Sequence, residues 1–277
     1  MELQLLALLT SFFIVLLSTP ALIKVAFLKG LIDEPGDERK LHASKIPAIG
    51  GIIIFAATIF SFSLWYSGSP ENLKYIVSGG ILLFFIGVKD DIIGTAPVKK
   101  LMAHIIVGLM IVLMADVRLT SLQGLFGIRE IPEWASIFLS LYAYIVIVNS
   151  FNLIDGVDGL ASSVGVIACF SFFTWFYIAG DNQMALLAIA LGGSLLAFLF
   201  FNFSPAKIFM GDSGSLTIGF IFAFLAIRMI EFKSYNLPSE LINISKPILA
   251  LSILVYPLID TLRIFIYRLV RGASPFS

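Results

Sequence analysis

The stretch NSFNLIDGVDGLA, residues 149–161, separates two long apolar runs. Before it stands ASIFLSLYAYIVIV (135–148) and after it SSVGVIACFSFFTWFYIA (162–179). Two Asn and two Asp sit where oily segments end, and they need a partner or water there. The apolar runs are long enough to cross a bilayer, which takes about 20 residues. The fold therefore reads as membrane helices with a polar turn between them.

Composition extends that reading to the whole chain. Of 277 residues, 59% are hydrophobic and 13% charged, and the mean hydropathy is +1.00. Soluble domains carry roughly 25% charged residues. The formal net charge is zero, so nothing points to a nucleic-acid partner. The single Cys169 lies in an apolar run, which excludes an intrachain disulfide framework and reads as a small buried residue. The first run, LQLLALLTSFFIVLLSTPALI, has no basic stretch before it and reads as a retained helix. The whole chain, 1–277, reads as one all-α, polytopic transmembrane domain.

Nine segments are expected to span: 3–23, 47–66, 73–88, 100–115, 135–151, 160–179, 184–203, 214–231 and 247–268. Pro20 and Pro257 predict kinks. Twelve of the 18 Lys and Arg fall on one side of this arrangement and six on the other. The richer side is expected to be cytoplasmic, with the N-terminus outside and the C-terminus inside. The longest loop on the other side, DVRLTSLQGLFGIREIPEW (116–134), predicts a short hairpin or an interfacial segment, and Trp134 suits the headgroup belt.

The acidic clusters then share one face. They are DEPGDERKLHASKIPAIGG (33–51), KDDIIGTAPVKKL (89–101), the opening stretch, and FNFSPAKIFMGDSGSL (201–216). Asp90 and Asp91 are adjacent and repel unless a cation or proton compensates. Hard carboxylate oxygens suit Mg²⁺, with Mn²⁺ as its substitute. A solvated acidic helix end is the bland alternative. Asp155 and Asp158 are three apart and are expected on one helical face near a helix start, where capping alone would also explain them. Gly156 lets a backbone or ligand approach closely, and Asn149 and Asn152 offer donors and acceptors. Asp212 reads as a third carboxylate at this face, or as a helix cap.

Other polar residues carry less. GDSG at 211–214 resembles a serine-protease string, but the only histidines are His42 and His104, too few for a soluble triad enzyme with this composition. His104 lies in an apolar run and reads as a packing residue; His42 stays open between solvent and phosphate. Asp260 and Arg263 are placed to form an i,i+3 pair that pins a helix. Charges confined to one edge, with no paired halves, argue against an ion-coupled transporter.

The four polar loops, in this order, resemble those of the polyprenyl-phosphate N-acetylhexosamine-1-phosphate transferases, integral membrane enzymes. DDIIGTAPVKKL looks like their Asp-Asp loop, NSFNLIDGVDGLA like their Asn-x-x-Asn-Leu-x-Asp-Gly-x-Asp-Gly-Leu motif, and NFSPAKIFMGDSGSL like their Phe-Met-Gly-Asp loop. The resemblance implies transfer of GlcNAc-1-phosphate from UDP-GlcNAc to undecaprenyl phosphate, with release of UMP, in the bacterial cytoplasmic membrane. KIPAIGG favours that branch over the alternative that uses UDP-MurNAc-pentapeptide. The resemblance implies metal ligands at Asp91 and Asp212, with Asp90 close by or acting on the acceptor phosphate. It implies positioning or acid–base roles for Asp155 and Asp158. Lys45 and Lys100 are expected to meet phosphate, and Asn202 and Phe209 the uridine. Direct attack and a covalent aspartyl intermediate both stay open. Membrane lipid is the surrounding partner, and a homodimer is compatible with the family. The family's His-rich motif lies a little beyond a Ser-Pro-Phe-Ser sequence. This sequence stops at Ser274–Ser277, which reads as a shortened chain.

Overall fold

A computed structural model describes residues 1–31, 46–68, 70–124, 127–233 and 237–272. The helices are α1 Glu2–Lys29, α2 Gly51–Trp65, α3 Pro70–Ile93, α4 Pro97–Leu109, α5 Glu133–Ile154, α6 Leu160–Ile178, α7 Asn182–Asn202, α8 Gly211–Ile230, α9 Ser239–Ile242, α10 Lys246–Ile253 and α11 Val255–Val270. A π-helical turn, Met110–Met114, extends α4. Among the described residues no strand forms; an isolated antiparallel bridge joins Ser121 to Glu130. The protein is an all-α polytopic membrane protein. Six of its helices are long and apolar enough to cross a bilayer, or seven if α10 and α11 together make one span. Each of the nine expected segments is helical, but α2 has only 15 residues and α3 carries charge towards both ends.

α8 lies at the centre. It is apolar all round and buried along nearly its whole length, the pattern of a helix that meets protein on every side. α2, α3 and α5 pack around it. α7, also largely buried, lies between α1 and α6. The outer helices turn Leu5, Phe13 and Leu17 of α1, Phe60 of α2 and Phe138 and Tyr142 of α5 outward. Such an apolar surface suits lipid and is a liability in water.

Two proline expectations resolve differently. α1 continues unbroken through Pro20. α10 and α11 meet at a 71° bend. Pro257 offers no N–H, and its ring crowds the carbonyl of Ile253, the last residue of α10. The 116–134 loop does contain a hairpin. Leu122 N–H donates to Arg129 at 2.9 Å, and Ile131 N–H to Thr120 at 3.1 Å. Trp134 is exposed at the start of α5.

Candidate active site

The first turn of α8 begins at Gly211, and its leading N–H groups have no partner inside the helix. Acids from other parts of the chain supply one. Asp91, near the end of α3, accepts from Asp212 N–H at 2.6 Å and from Ser213 N–H at 3.0 Å, one bond to each oxygen. Asp155, in the turn after α5, accepts from Gly211 N–H at 3.0 Å. Asp158 accepts from Ala206 N–H at 3.1 Å. The helix dipole adds to the attraction, because α8 presents its positive end here.

Close approach of the chains depends on glycine. Gly211 has φ +72°, and a Cβ there would lie 2.2 Å from the Ala48 carbonyl oxygen. A Cβ on Gly51 would lie 2.0 Å from Gly214 N, and one on Gly87 2.4 Å from Ser213 Cα. α2, α3 and α8 therefore cross backbone to backbone. The end of the first polar loop joins them: Phe209 N–H donates to Pro47, Gly50 N–H to Phe209, and Gly51 N–H to Met210, at 2.8, 2.9 and 2.7 Å.

Asp212 faces a different set of groups. Asn152 Nδ2 donates to its Oδ1 at 2.7 Å and to Ser215 Oγ at 2.9 Å. The Lys100 ammonium, from the first turn of α4, bridges Asp212 Oδ2 and Asp90 Oδ2, the latter at 3.4 Å. Lys100, Asp90 and Asp212 side chains are each about one-fifth exposed (19%, 21% and 20%), so the bridge is half-buried and still reachable from outside.

Burial and charge act on these acids. Asp91 lies past the apolar part of α3. Burial pushes its carboxyl up to about 6, and Asp90 adds to the rise; the Ser213 bond and Lys100 pull the other way. Asp155 lies beyond the end of α5. Burial raises it well above the usual carboxylate range, against the pull of the Gly211 N–H.

The structure thus brings together Asp90, Asp91, Lys100, Asn152, Asp155, Asp158 and Asp212. Asp155 and Asp158 do not share a helical face: residues 155–159 form a turn between α5 and α6. Neither caps α6, whose N-cap is Gly159 with φ +69°. Asp212 is not a cap either; Asp91 and Asp155 bond the α8 start from outside. Asn149 donates to its own helix, at the Ile145 carbonyl. Gly156 faces open space, so none of the described residues requires a glycine there. Asn202 is 2% exposed. Its amide accepts from Ser162 Oγ at 2.6 Å and donates to the Ile208 carbonyl at 3.0 Å, both inside the protein. Phe209 is half-buried at the α2–α8 crossing. Lys45, like His42, lies outside the described residues. His104 is buried on α4, in keeping with packing. Asp260 and Arg263 pair at 2.6 Å. Sequence reasoning missed Gly51, Gly87 and Gly214 as contact points. AIGG (48–51) and GDSG (211–214) carried a signal, but nothing in the sequence said that the two strings meet.

Among the described residues, no three His, Cys, Asp or Glu side chains group as a ready-made metal cage. The Asp90–Asp212 pair nonetheless fits a cation, because the Lys100 ammonium already lies between its two carboxylates.

Comparison with known proteins identifies the family. The family model for glycosyl transferase family 4 matches residues 73–230, more than half of the chain. This chain belongs to glycosyl transferase family 4. The family segment contains every acid in the cluster, from Asp90 to Asp212. The undecaprenyl-phosphate alpha-N-acetylglucosaminyl 1-phosphate transferase of Escherichia coli (strain K12) is 32% identical over 264 residues, 92% of this chain and 68% of that protein. The protein of the same name from Salmonella typhi is 31% identical over 261 residues, with the same coverage. A probable undecaprenyl-phosphate N-acetylglucosaminyl 1-phosphate transferase of Bacillus subtilis (strain 168) is 30% identical over 277 residues, 98% of this chain and 73% of its own.

Proposed function

We propose that this protein transfers N-acetylglucosamine-1-phosphate from UDP-GlcNAc to undecaprenyl phosphate and releases UMP. Its relatives carry names for that activity in organisms as far apart as Escherichia coli and Bacillus subtilis. The observation that carries the reading is the meeting of acids from three separate loops with Lys100 at the start of α8. The bias of Lys and Arg supports placing this cluster at the cytoplasmic face of the bacterial cytoplasmic membrane, with nine spans. A lipid-borne phosphate and a water-soluble nucleotide sugar can both arrive at such an edge.

In the reaction, an oxygen of the acceptor phosphate forms a bond to the β-phosphorus of the donor. The bond from that phosphorus to the bridging oxygen breaks, and UMP leaves with the electron pair. A phosphate monoester has a second pKa near 6, so the acceptor is largely a dianion at neutral pH. Charge repulsion between the reactants is then the chief obstacle.

Asp212, with Asp90, would hold a divalent cation, Mg²⁺ by preference. When bound, that ion supplies neutralisation and orientation of the diphosphate. Asn152 fixes one oxygen of Asp212. Asp91 and Asp155 hold the start of α8 and so set where Asp212 points. Lys100 offers a point charge to phosphate oxygens. The test is UMP release by purified protein given UDP-GlcNAc, undecaprenyl phosphate and Mg²⁺. Release should need all three additions. UDP-MurNAc-pentapeptide as donor should give little; equal release from both donors would remove the GlcNAc assignment.

A further inference from the structure

The acids around α8 fall into two groups with different compensation. Asp91 and Asp155 are held by backbone: three N–H groups of the α8 first turn donate to them, at the positive end of the helix dipole. Asp90 and Asp212 depend on side chains: Lys100 reaches both, and the uncharged Asn152 amide donates to the other oxygen of Asp212. The bridge between them is the single ammonium of Lys100, which sets one positive charge against two carboxylates. Lysine's ammonium is a compact point charge on a flexible four-carbon stem, whereas the backbone N–H groups holding Asp91 cannot move away. Lys100 is also the fourth residue of α4, next to the loop at 94–96, so its head can swing without leaving the helix.

We infer that Lys100 is the site's own counter-cation: it holds Asp90 and Asp212 together before substrate arrives, yields that place to the divalent ion, and moves onto the donor's diphosphate. This rests on the proposed metal-assisted transfer and deepens it, because it gives Lys100 two successive positions. It also names Asp90 and Asp212, rather than Asp91 and Asp212, as the pair that exchanges cations. Asp91 keeps both oxygens on the α8 backbone throughout. The exchange has an electrostatic consequence. A cation already between the carboxylates competes with the incoming one, so the free enzyme binds metal weakly, and the donor's diphosphate favours metal binding by giving Lys100 somewhere else to go.

The experiment measures Mn²⁺ binding to the purified protein in detergent by electron paramagnetic resonance, without nucleotide sugar and at low salt. In Lys100→Gln, where the competitor is gone, Mn²⁺ should bind about tenfold more tightly than in wild type. Lys100→Arg keeps a competing charge and should bind as wild type does; it also reports whether the position tolerates change. Lys99→Gln, its exposed neighbour, should be within about twofold of wild type. Asp90→Asn and Asp212→Asn should each weaken binding. In the transfer assay Lys100→Gln should raise KM for the donor, so tighter metal binding accompanies weaker use of the donor. Unchanged or weaker Mn²⁺ binding in Lys100→Gln, with Asp212→Asn still weakened, would overturn the exchange and leave the metal site standing. Equal Mn²⁺ binding in wild type, Asp90→Asn and Asp212→Asn would remove the metal site and the exchange with it.

Discussion

The two ends of α8 meet their neighbours in different ways. At the end, Glu231 accepts from the Thr120 N–H at 3.0 Å and from the Thr120 hydroxyl at 2.6 Å, tying the hairpin to the helix. Nearby, Arg118 pairs with both Asp116 and Glu133. At the start, carboxylates from α3 and from the turn after α5 converge on one helical turn, and a single lysine bridges two of them. The first arrangement joins a loop to a helix and is satisfied by its own partners. The second packs acids where more positive charge would lower their energy. Structure alone does not require that excess, whereas binding a cation and a diphosphate does.

Substitutions at the two ends should separate these roles. The largest effect is expected for Asp212→Asn: UMP release should fall at least about a hundredfold, the scale for losing one electrostatic stabiliser of a transition state, while the protein stays monodisperse in detergent. Gly51→Ala comes next. Its new Cβ would meet the Gly214 backbone at 2.0 Å, and overpacking of this kind costs about 1–3 kcal/mol. Thermal unfolding in detergent should report the loss, with Gly156→Ala, in open space, as the silent control.

Asp91→Ala should cost about 1–2 kcal/mol, the scale of a lost helix cap, along with a drop in transfer because Asp212 loses its fixed direction. Glu231→Gln should cost about 1 kcal/mol or less and leave UMP release within about twofold. Loss of transfer there would mean that the two ends do not differ as described. The smallest effect is expected for Asp260→Asn. Its partner Arg263 is 74% exposed, and exposed pairs contribute about 0–1 kcal/mol.

Much of this was legible in the sequence, and for a physical reason. Apolar runs long enough for a bilayer mark helices without reference to the rest of the chain, so all nine segments read correctly as helical. Polar residues at the edge of such runs need partners, so Asp90, Asp91, Asp155, Asp158 and Asp212 read as one group. Partner choice was not legible. Asp155 and Asp158 looked like a helical pair because three residues separate them, but Gly159 starts α6 after both and leaves them in a turn. Asp91 was expected, with Asp212, as a metal ligand by resemblance; that its two oxygens accept from the α8 backbone was not legible, because it depends on Gly87 letting α3 approach α8. Asn202 was expected at the uridine by resemblance alone, and a string of letters does not show that its amide is buried and bonded to Ser162 and Ile208. Whether α2 and α3 cross was not legible from apolarity alone, since helix length and charge also decide what crosses.

The most direct test of the central claim is UMP release from UDP-GlcNAc by the purified full-length protein, wild type against Asp212→Asn, with and without undecaprenyl phosphate and Mg²⁺. Release by wild type that needs both additions and disappears in the variant is the expected result. Release that persists in Asp212→Asn, or that ignores the lipid phosphate, would contradict a transfer site built at the start of α8.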